Sequence, residues 1–163
     1  MKPSNKTRGL GLLLVLSVLF ISMAQQTSAM TLQIPGASAQ AGEMVTLPIK
    51  LDAVENLAGI KLVMGYNADI LTYKSAKKTE VTTSLMHVIN DRAPGKLIIV
   101  MAGARGIKGT DVTLMTLTFE VKKSSKEQGP TETALTISEV QLMTDKLEEL
   151  SCDIKIEPVL IKP

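Results

Sequence analysis

Alternation of apolar and polar residues dominates the sequence after residue 29. Four runs follow a period of two, at residues 45–51, 60–66, 116–121 and 152–156. That period is typical of a β-strand with one buried face. Turn-forming pairs such as Pro35-Gly36 and Pro94-Gly95 separate the runs. No stretch of ten residues carries a helical stripe between caps, so the sequence predicts an all-β chain.

The first 29 residues resemble a secretory signal peptide. Lys2, Lys6 and Arg8 precede a largely apolar run of twelve residues, and small residues then offer cleavage after Ala24 or Ala29. A membrane-spanning helix needs about twenty apolar residues, so we expect export without a membrane span in the mature chain. The expected location is extracellular, at the cell surface or in the periplasm. The remaining residues, 30–163, fit a single domain.

The composition argues against several classes of function. A single cysteine, Cys152, allows neither an intrachain disulfide nor a multi-cysteine zinc site. A catalytic triad requires a histidine base, and the one histidine, His87, stands between two apolar residues. Without residues 1–29 the formal charge falls from +2 to −1, which argues against nucleic-acid binding. We therefore expect a protein that is not an enzyme and binds no nucleic acid.

The number of short strands indicates a β-sandwich or jelly roll. Residues 103–109 contain three glycines and a lysine, but the lysine precedes the last glycine, so the pattern of a phosphate-binding loop is not met. We interpret this segment as a flexible connector between strands. A short helical turn is expected near residues 68–71.

Four segments resemble, in order, the strands of the cohesin domain, a bacterial module that binds dockerin domains in cellulosomes and related assemblies. The first segment is G-x-x-V-T-L-P-I-x-L at residues 42–51, and the second comprises N-L-A-G-I at 56–60 and Y-N-A-D-I-L at 66–71. The third is G-K-L-I-I at 95–99, continuing to Ala102, and the fourth begins at Gly109 and contains L-M-T-L-T-F-E-V at 114–121. The resemblance covers residues 31–161. It implies a nine-stranded jelly-roll β-sandwich of the immunoglobulin-like type found in carbohydrate-binding modules.

The same resemblance implies a non-catalytic docking module for a dockerin-like partner, in a polysaccharide-degrading or cell-surface assembly. Any polysaccharide contact would then be indirect. If Leu97, Ile99 and Met101 face the core, alternation turns Ile98 and Val100 outward. The resemblance places this strand beside residues 60–66. We therefore predict a partner-binding surface with the following members: Val63, Ile98 and Val100 at the centre, and Lys61, His87 and Arg92 around it.

Two other functions stay open, a carbohydrate-binding module and an envelope or secretion-system assembly subunit. Sugar binding commonly uses exposed aromatic rings, and after residue 29 only Tyr66, Tyr73 and Phe119 are present. No cofactor is expected. Calcium remains an option because residues such as Asn67 and Asp69, and Asp91 further along, offer oxygen ligands in loops, although no EF-hand pattern occurs.

Overall fold

The computed structural model describes residues 30–123 and 131–162. The expected signal peptide, residues 1–29, lies outside the described residues. The described part forms eleven β-strands: β1 Met30–Ile34, β2 Ala37–Gln40, β3 Met44–Gly65, β4 Leu71–Lys78, β5 Met86–Asn90, β6 Lys96–Val121, β7 Thr131–Thr133, β8 Thr136–Thr144, β9 Glu149–Leu150, β10 Cys152–Ile156 and β11 Val159–Lys162. No helix within these two ranges is long and apolar enough to cross a membrane.

Two very long strands, β3 and β6, form the frame of the domain. They pair antiparallel from Met44 opposite Glu120 to Gly65 opposite Lys96, and the register shifts between residues 54 and 59 of β3. Such shifts mark β-bulges, which bend a strand. The two strands therefore run through both layers of the sandwich.

The back layer has the order β10, β1, residues 44–54 of β3, residues 109–121 of β6, and β4. The front layer has the order β8, residues 57–65 of β3, residues 96–107 of β6, and β5, with β9 paired to β8. A separate three-stranded sheet joins β2, β11 and β7. The all-β sandwich predicted from alternation is confirmed.

One hydrophobic core lies between the layers. Ile99 in the front layer and Leu117 in the back layer are both fully buried, as the alternation of their strands predicts. Phe119 is also fully buried, and the rings of Tyr66 and Tyr73 meet it edge-on at centroid distances of 5.2 Å and 5.8 Å. Three aromatic residues therefore stabilise one end of the core.

The described elements differ from the expected ones in two respects. The described strands number eleven rather than nine, and residues 71–78 form a strand, β4, that alternation does not reveal. Residues 68–70 form a single turn closed by a hydrogen bond of 2.8 Å from the Leu71 N–H to the Asn67 carbonyl oxygen, the spacing of one helical turn, as the sequence predicts. Strand β4 is missed because its three lysines and the exposed Ser75 interrupt the apolar pattern, even though Ala76 packs against the core.

The interpretation of residues 103–109 as a connector is wrong. The whole segment belongs to β6 and carries that strand from the front layer to the back layer. A side chain at Gly106 would overlap the backbone of Asn56, which itself adopts a positive φ of 59°. Position 106 needs glycine because the backbones of β3 and β6 approach closely at this bend. In the sequence, a glycine in such a bend looks the same as a glycine in a turn between strands.

Candidate protein-docking surface

The outer face of the front layer is a flat surface built from alternate residues of four strands. Residues directly opposite each other in an antiparallel ladder point to the same side of the sheet. Val100 of β6 is opposite Lys61 of β3 on one side and Val88 of β5 on the other. Because Ile99 and Met101 face the core, Val100 faces outward, and so do the residues opposite it on β3 and β5.

Three rows of outward residues cross this face. The first joins Glu139, Val63, Ile98 and Asn90; the second joins Gln141, Lys61, Val100 and Val88; the third joins Met143, Gly59, Ala102 and Met86. Two-thirds of these positions are apolar or glycine. The face therefore offers a partner a broad contact of low polarity.

The greatest exposure of apolar side chains on this face lies toward β5. Val100 is 39% exposed, Val88 68% and Met86 78%. These residues occupy neighbouring rows, and Ala102 beside Met86 is also exposed. Clustered exposure of this kind is typical of an interaction site, whereas single exposed apolar residues are common on any surface.

Val63 is less accessible than the sequence predicts. It is only 8% exposed, although it lies outside the hydrophobic core. The Lys61 Nζ and Glu139 Oε1 atoms are 2.6 Å apart, and this ion pair flanks Val63 on the outer face. Ser138 Oγ also donates a hydrogen bond of 3.2 Å to the Val63 carbonyl oxygen. The expected centre is therefore partly closed by its own neighbours, and Ile98 beside it is half-buried.

His87 does not lie on the outer face, where the sequence predicts it. It lies opposite Met101, whose side chain is in the core, so the imidazole leaves β5 on the inner side of the sheet. It is exposed because β5 is an edge strand. Arg92 is exposed in the turn after β5, where its backbone N–H donates a hydrogen bond of 3.1 Å to Asn90 Oδ1. Arg92 thus stands at one end of the face.

Met86 and Val88 are the surface residues that sequence reasoning missed. They flank His87, so a period of two already puts both of them on one face and His87 on the other. That signal is present, but it identifies the outer face only once the pairing of β5 with β6 is known.

Charge on the outward rows is nearly balanced. Lys61 and Glu139 neutralise each other, and the side chains of both are about half accessible. The exposed Lys96 and Arg92 lie at the end of the face near the turn that joins β5 and β6. A partner surface that is apolar at its centre and acidic at this end would match.

Cys152, the single cysteine of the sequence, lies in β10 of the back layer. Burial, followed by the nearby Asp153 and Asp52 carboxylates, raises the pKa of the Cys152 thiol, which disfavours the nucleophilic thiolate. Asn67 Oδ1 accepts a hydrogen bond of 2.9 Å from the Asp69 N–H. Within residues 30–123 and 131–162 no three histidine, cysteine or carboxylate side chains come together to hold a metal ion.

The comparisons with known proteins agree with this architecture. A family model described as the cohesin domain matches residues 30–157. The chain belongs to the cohesin domain family. No curated protein is significantly similar to the sequence. The predicted family and its jelly-roll fold are therefore confirmed.

Several solved cohesin structures are similar in fold. A non-cellulosomal cohesin from the archaeon Archaeoglobus fulgidus has a TM-score of 0.73 at 17% identity, covering 83% of this chain and 93% of that one. The Coh-OlpC–Doc435 complex from Clostridium thermocellum gives 0.74 at 16%, covering 82% and 94%. The sixth cohesin of scaffoldin B from Acetivibrio cellulolyticus, solved with a Cel5 dockerin, gives 0.70 at 21%, covering 83% and 99%.

Proposed function

We propose that this cohesin domain is a non-catalytic docking module that captures a dockerin-like partner through the outer face of its front layer. The observation that carries the proposal is the exposure of Met86, Val88 and Val100 in neighbouring rows of one flat face. The similar cohesins from Clostridium thermocellum and Acetivibrio cellulolyticus were solved with dockerins. We further propose that the chain is exported and acts outside the cytoplasm, in a cell-surface or polysaccharide-degrading assembly.

The physical basis is the low desolvation cost of this face. The centre of a protein interface is depleted of charge, and its binding energy is concentrated in a few well-packed residues. Here the one charged pair within the rows, Lys61 and Glu139, is already joined in an ion pair. A partner can therefore cover the face without stripping water from an unpaired charge.

The experiment measures the affinity of the protein for dockerin-bearing proteins encoded by its source organism, by isothermal titration calorimetry. Val88→Asp and Val100→Asp each place an unpaired carboxylate in the contact. We expect each to weaken binding by at least about 2 kcal/mol, or about 30-fold. Folding should change by less than about 1 kcal/mol because both residues are accessible.

The matched control is Thr118→Asp. Thr118 lies between the buried Leu117 and Phe119, so it points outward from the back layer, on the opposite side of the domain. This variant should bind like the unmodified protein. If Val88→Asp and Val100→Asp fold normally and retain full affinity, the partner binds elsewhere and the proposed face is wrong.

A further inference from the structure

Strand β5 differs from the other edge strands of the two layers in having no charge. The free edges of sheets are commonly protected from pairing by charged residues, proline or bulges. β4 carries three lysines, β10 carries Asp153 and Lys155, and at the edge opposite β5 the strand β8 carries Glu139 and its short partner β9 carries Glu149. β5, with the sequence MHVIN, has none of these devices and exposes Met86 and Val88.

The alternation of backbone hydrogen bonds across the front layer shows which N–H and C=O groups of β5 are free. The Tyr66 N–H donates a hydrogen bond of 2.9 Å to the Gly95 carbonyl oxygen, so the backbone groups of residue 95 point toward β3. Alternate residues of a strand direct their N–H and C=O groups to opposite sides. Residues 97, 99 and 101 therefore bond to β3, and residues 98, 100 and 102 bond to β5.

The register between β5 and β6 then shows which residues of β5 bond to β6. Ile98, Val100 and Ala102 are opposite Asn90, Val88 and Met86, so these three residues of β5 bond to β6. The N–H and C=O groups of His87 and Ile89 then point away from the sheet. In the described part of the chain β5 pairs with no other strand, so these four groups form a free pairing edge.

We propose that two copies of this chain associate by pairing their β5 strands antiparallel about a two-fold axis at Val88. In that register His87 of each copy is opposite Ile89 of the other, which satisfies all four outward backbone groups of each copy in four hydrogen bonds. Val88 lies opposite Val88 of the second copy, as a non-hydrogen-bonded pair with close side chains. The two front layers become one continuous sheet of ten strands, with β9, β8, β3, β6 and β5 contributed by each copy.

A second copy of this chain is the favoured partner for the free edge of β5, because β5 is complementary to itself. An interface with two-fold symmetry places each residue against its symmetry mate or a matching position. A charge near the axis would meet its own copy, and β5 has no charge at any of its five positions. Registers centred on His87 or Ile89 would instead leave free backbone groups unpaired. The exposed Val88 would pack against an identical apolar side chain.

The expected association is weak because a five-residue strand pair covers a small area. Contacts at the low end of the range of interface areas are transient, and we expect a dissociation constant of about 0.1–1 mM. The experiment is therefore sedimentation velocity of the purified protein alone, from about 20 µM to about 2 mM, so that mass action moves the equilibrium across its midpoint. The dimer fraction should rise with concentration.

Two sets of variants test the register. His87→Pro removes one outward N–H from each copy and leaves the bonds to β6 intact, a position where an edge strand tolerates proline. It should weaken the dimer at least about 10-fold. Val88→Lys and Val88→Glu should each be monomeric at the highest concentration, because like charges meet at the axis. An equimolar mixture of these two variants should dimerise.

The control is Thr118→Lys, which adds the same charge on the opposite face and should dimerise like the unmodified protein. Circular dichroism of each variant checks that the fold is retained. An unmodified protein that stays monomeric throughout the series overturns the proposal, and so does a dimer that Val88→Lys leaves unchanged. Since no dockerin is present in these measurements, their outcome is independent of the proposed docking function.

Discussion

Asn56 of β3 packs directly against Gly106 of β6 where both strands pass from one layer of the sandwich to the other. Asn56 adopts a left-handed backbone conformation, and its Nδ2 donates a hydrogen bond of 2.5 Å to Asp145 Oδ1. Asparagine is among the residues that tolerate this conformation best. The contact fixes the bend that separates the docking face from the back layer.

We expect Gly106→Ala to destabilise the domain because the added Cβ would overlap the Asn56 backbone. The free energy of unfolding should fall by about 1–3 kcal/mol, the usual cost of forcing extra volume into a packed site. Denaturant unfolding followed by circular dichroism measures this change. Gly59→Ala is the matched control, since its Cβ would only touch Met143 at 3.4 Å. Equal stability of the two variants would contradict the role assigned to Gly106.

The sequence predicts the buried faces well because burial follows a local pattern. Leu97, Ile99 and Met101 alternate with accessible residues and are all buried, as their spacing requires. The position of the docking surface depends instead on pairing between distant strands. His87 stands beside the exposed Val88 in sequence but on the opposite side of the sheet, and only the register with β6 shows which side faces outward.

The continuity of the long strands could not be predicted for a related reason. Residues 103–109 combine glycines with charged residues, a composition that favours turns. Their strand conformation is stabilised by pairing with β3, in which Leu57 lies opposite Ile107 and both residues are buried. The ion pair that closes over Val63 likewise joins two residues 78 positions apart, Lys61 and Glu139.

A buried threonine anchors the turn between β4 and β5. The Thr82 side chain is fully buried, and its Oγ1 donates a hydrogen bond of 2.7 Å to the Leu114 carbonyl oxygen in β6. Thr82→Val keeps the shape but removes the donor, and should lower the free energy of unfolding by about 1–3 kcal/mol.

Thr82→Ser keeps the hydroxyl and loses only a methyl group, so the loss of stability should be smaller, about 1 kcal/mol. Thermal or denaturant unfolding of both variants makes the comparison. A larger loss for Thr82→Ser than for Thr82→Val would mean that packing of the methyl group, and not the hydrogen bond, secures this turn.

Acid should weaken the domain partly through Asp52. The Oδ1 atom accepts hydrogen bonds from the Thr31 N–H at 2.8 Å and the Ala53 N–H at 2.7 Å, and the Thr31 bond is the main cause that lowers the pKa of this carboxyl below 3.8. A lowered pKa in the folded state means that the stabilisation is present above the unfolded pKa of about 3.9 and is lost as the pH falls through the folded value.

Asp52→Asn removes this titration. We expect the stability difference between the unmodified protein and Asp52→Asn to be constant between about pH 5 and 8 and to shrink below about pH 4. Unfolding by denaturant at a series of pH values measures the difference. A difference that grows as the pH falls would have the wrong sign for a carboxyl with a lowered pKa.

Tyr73 tests the sugar-binding alternative against protein docking. Its ring is half-buried and packs edge-on against Phe119 at a centroid distance of 5.8 Å. Burial, with a smaller contribution from Asp91, raises the pKa of its hydroxyl. A ring held in this way supports the core and offers little free face to a sugar. Tyr73→Ala should therefore lower the free energy of unfolding by about 1–3 kcal/mol, less than the loss of a fully buried aromatic residue.

The measurement for sugar binding is affinity electrophoresis of the protein in gels that contain cellulose-derived or xylan polymers. We expect no retardation of the unmodified protein, because the described aromatic residues Tyr66, Tyr73 and Phe119 all pack together at one end of the core. Tyr73→Ala, measured at a temperature where it remains folded, should migrate in the same way. Retardation of the unmodified protein that Tyr73→Ala abolishes would instead favour a carbohydrate-binding module, with the ring turned to the sugar and the exposed valines of the front layer left to another role.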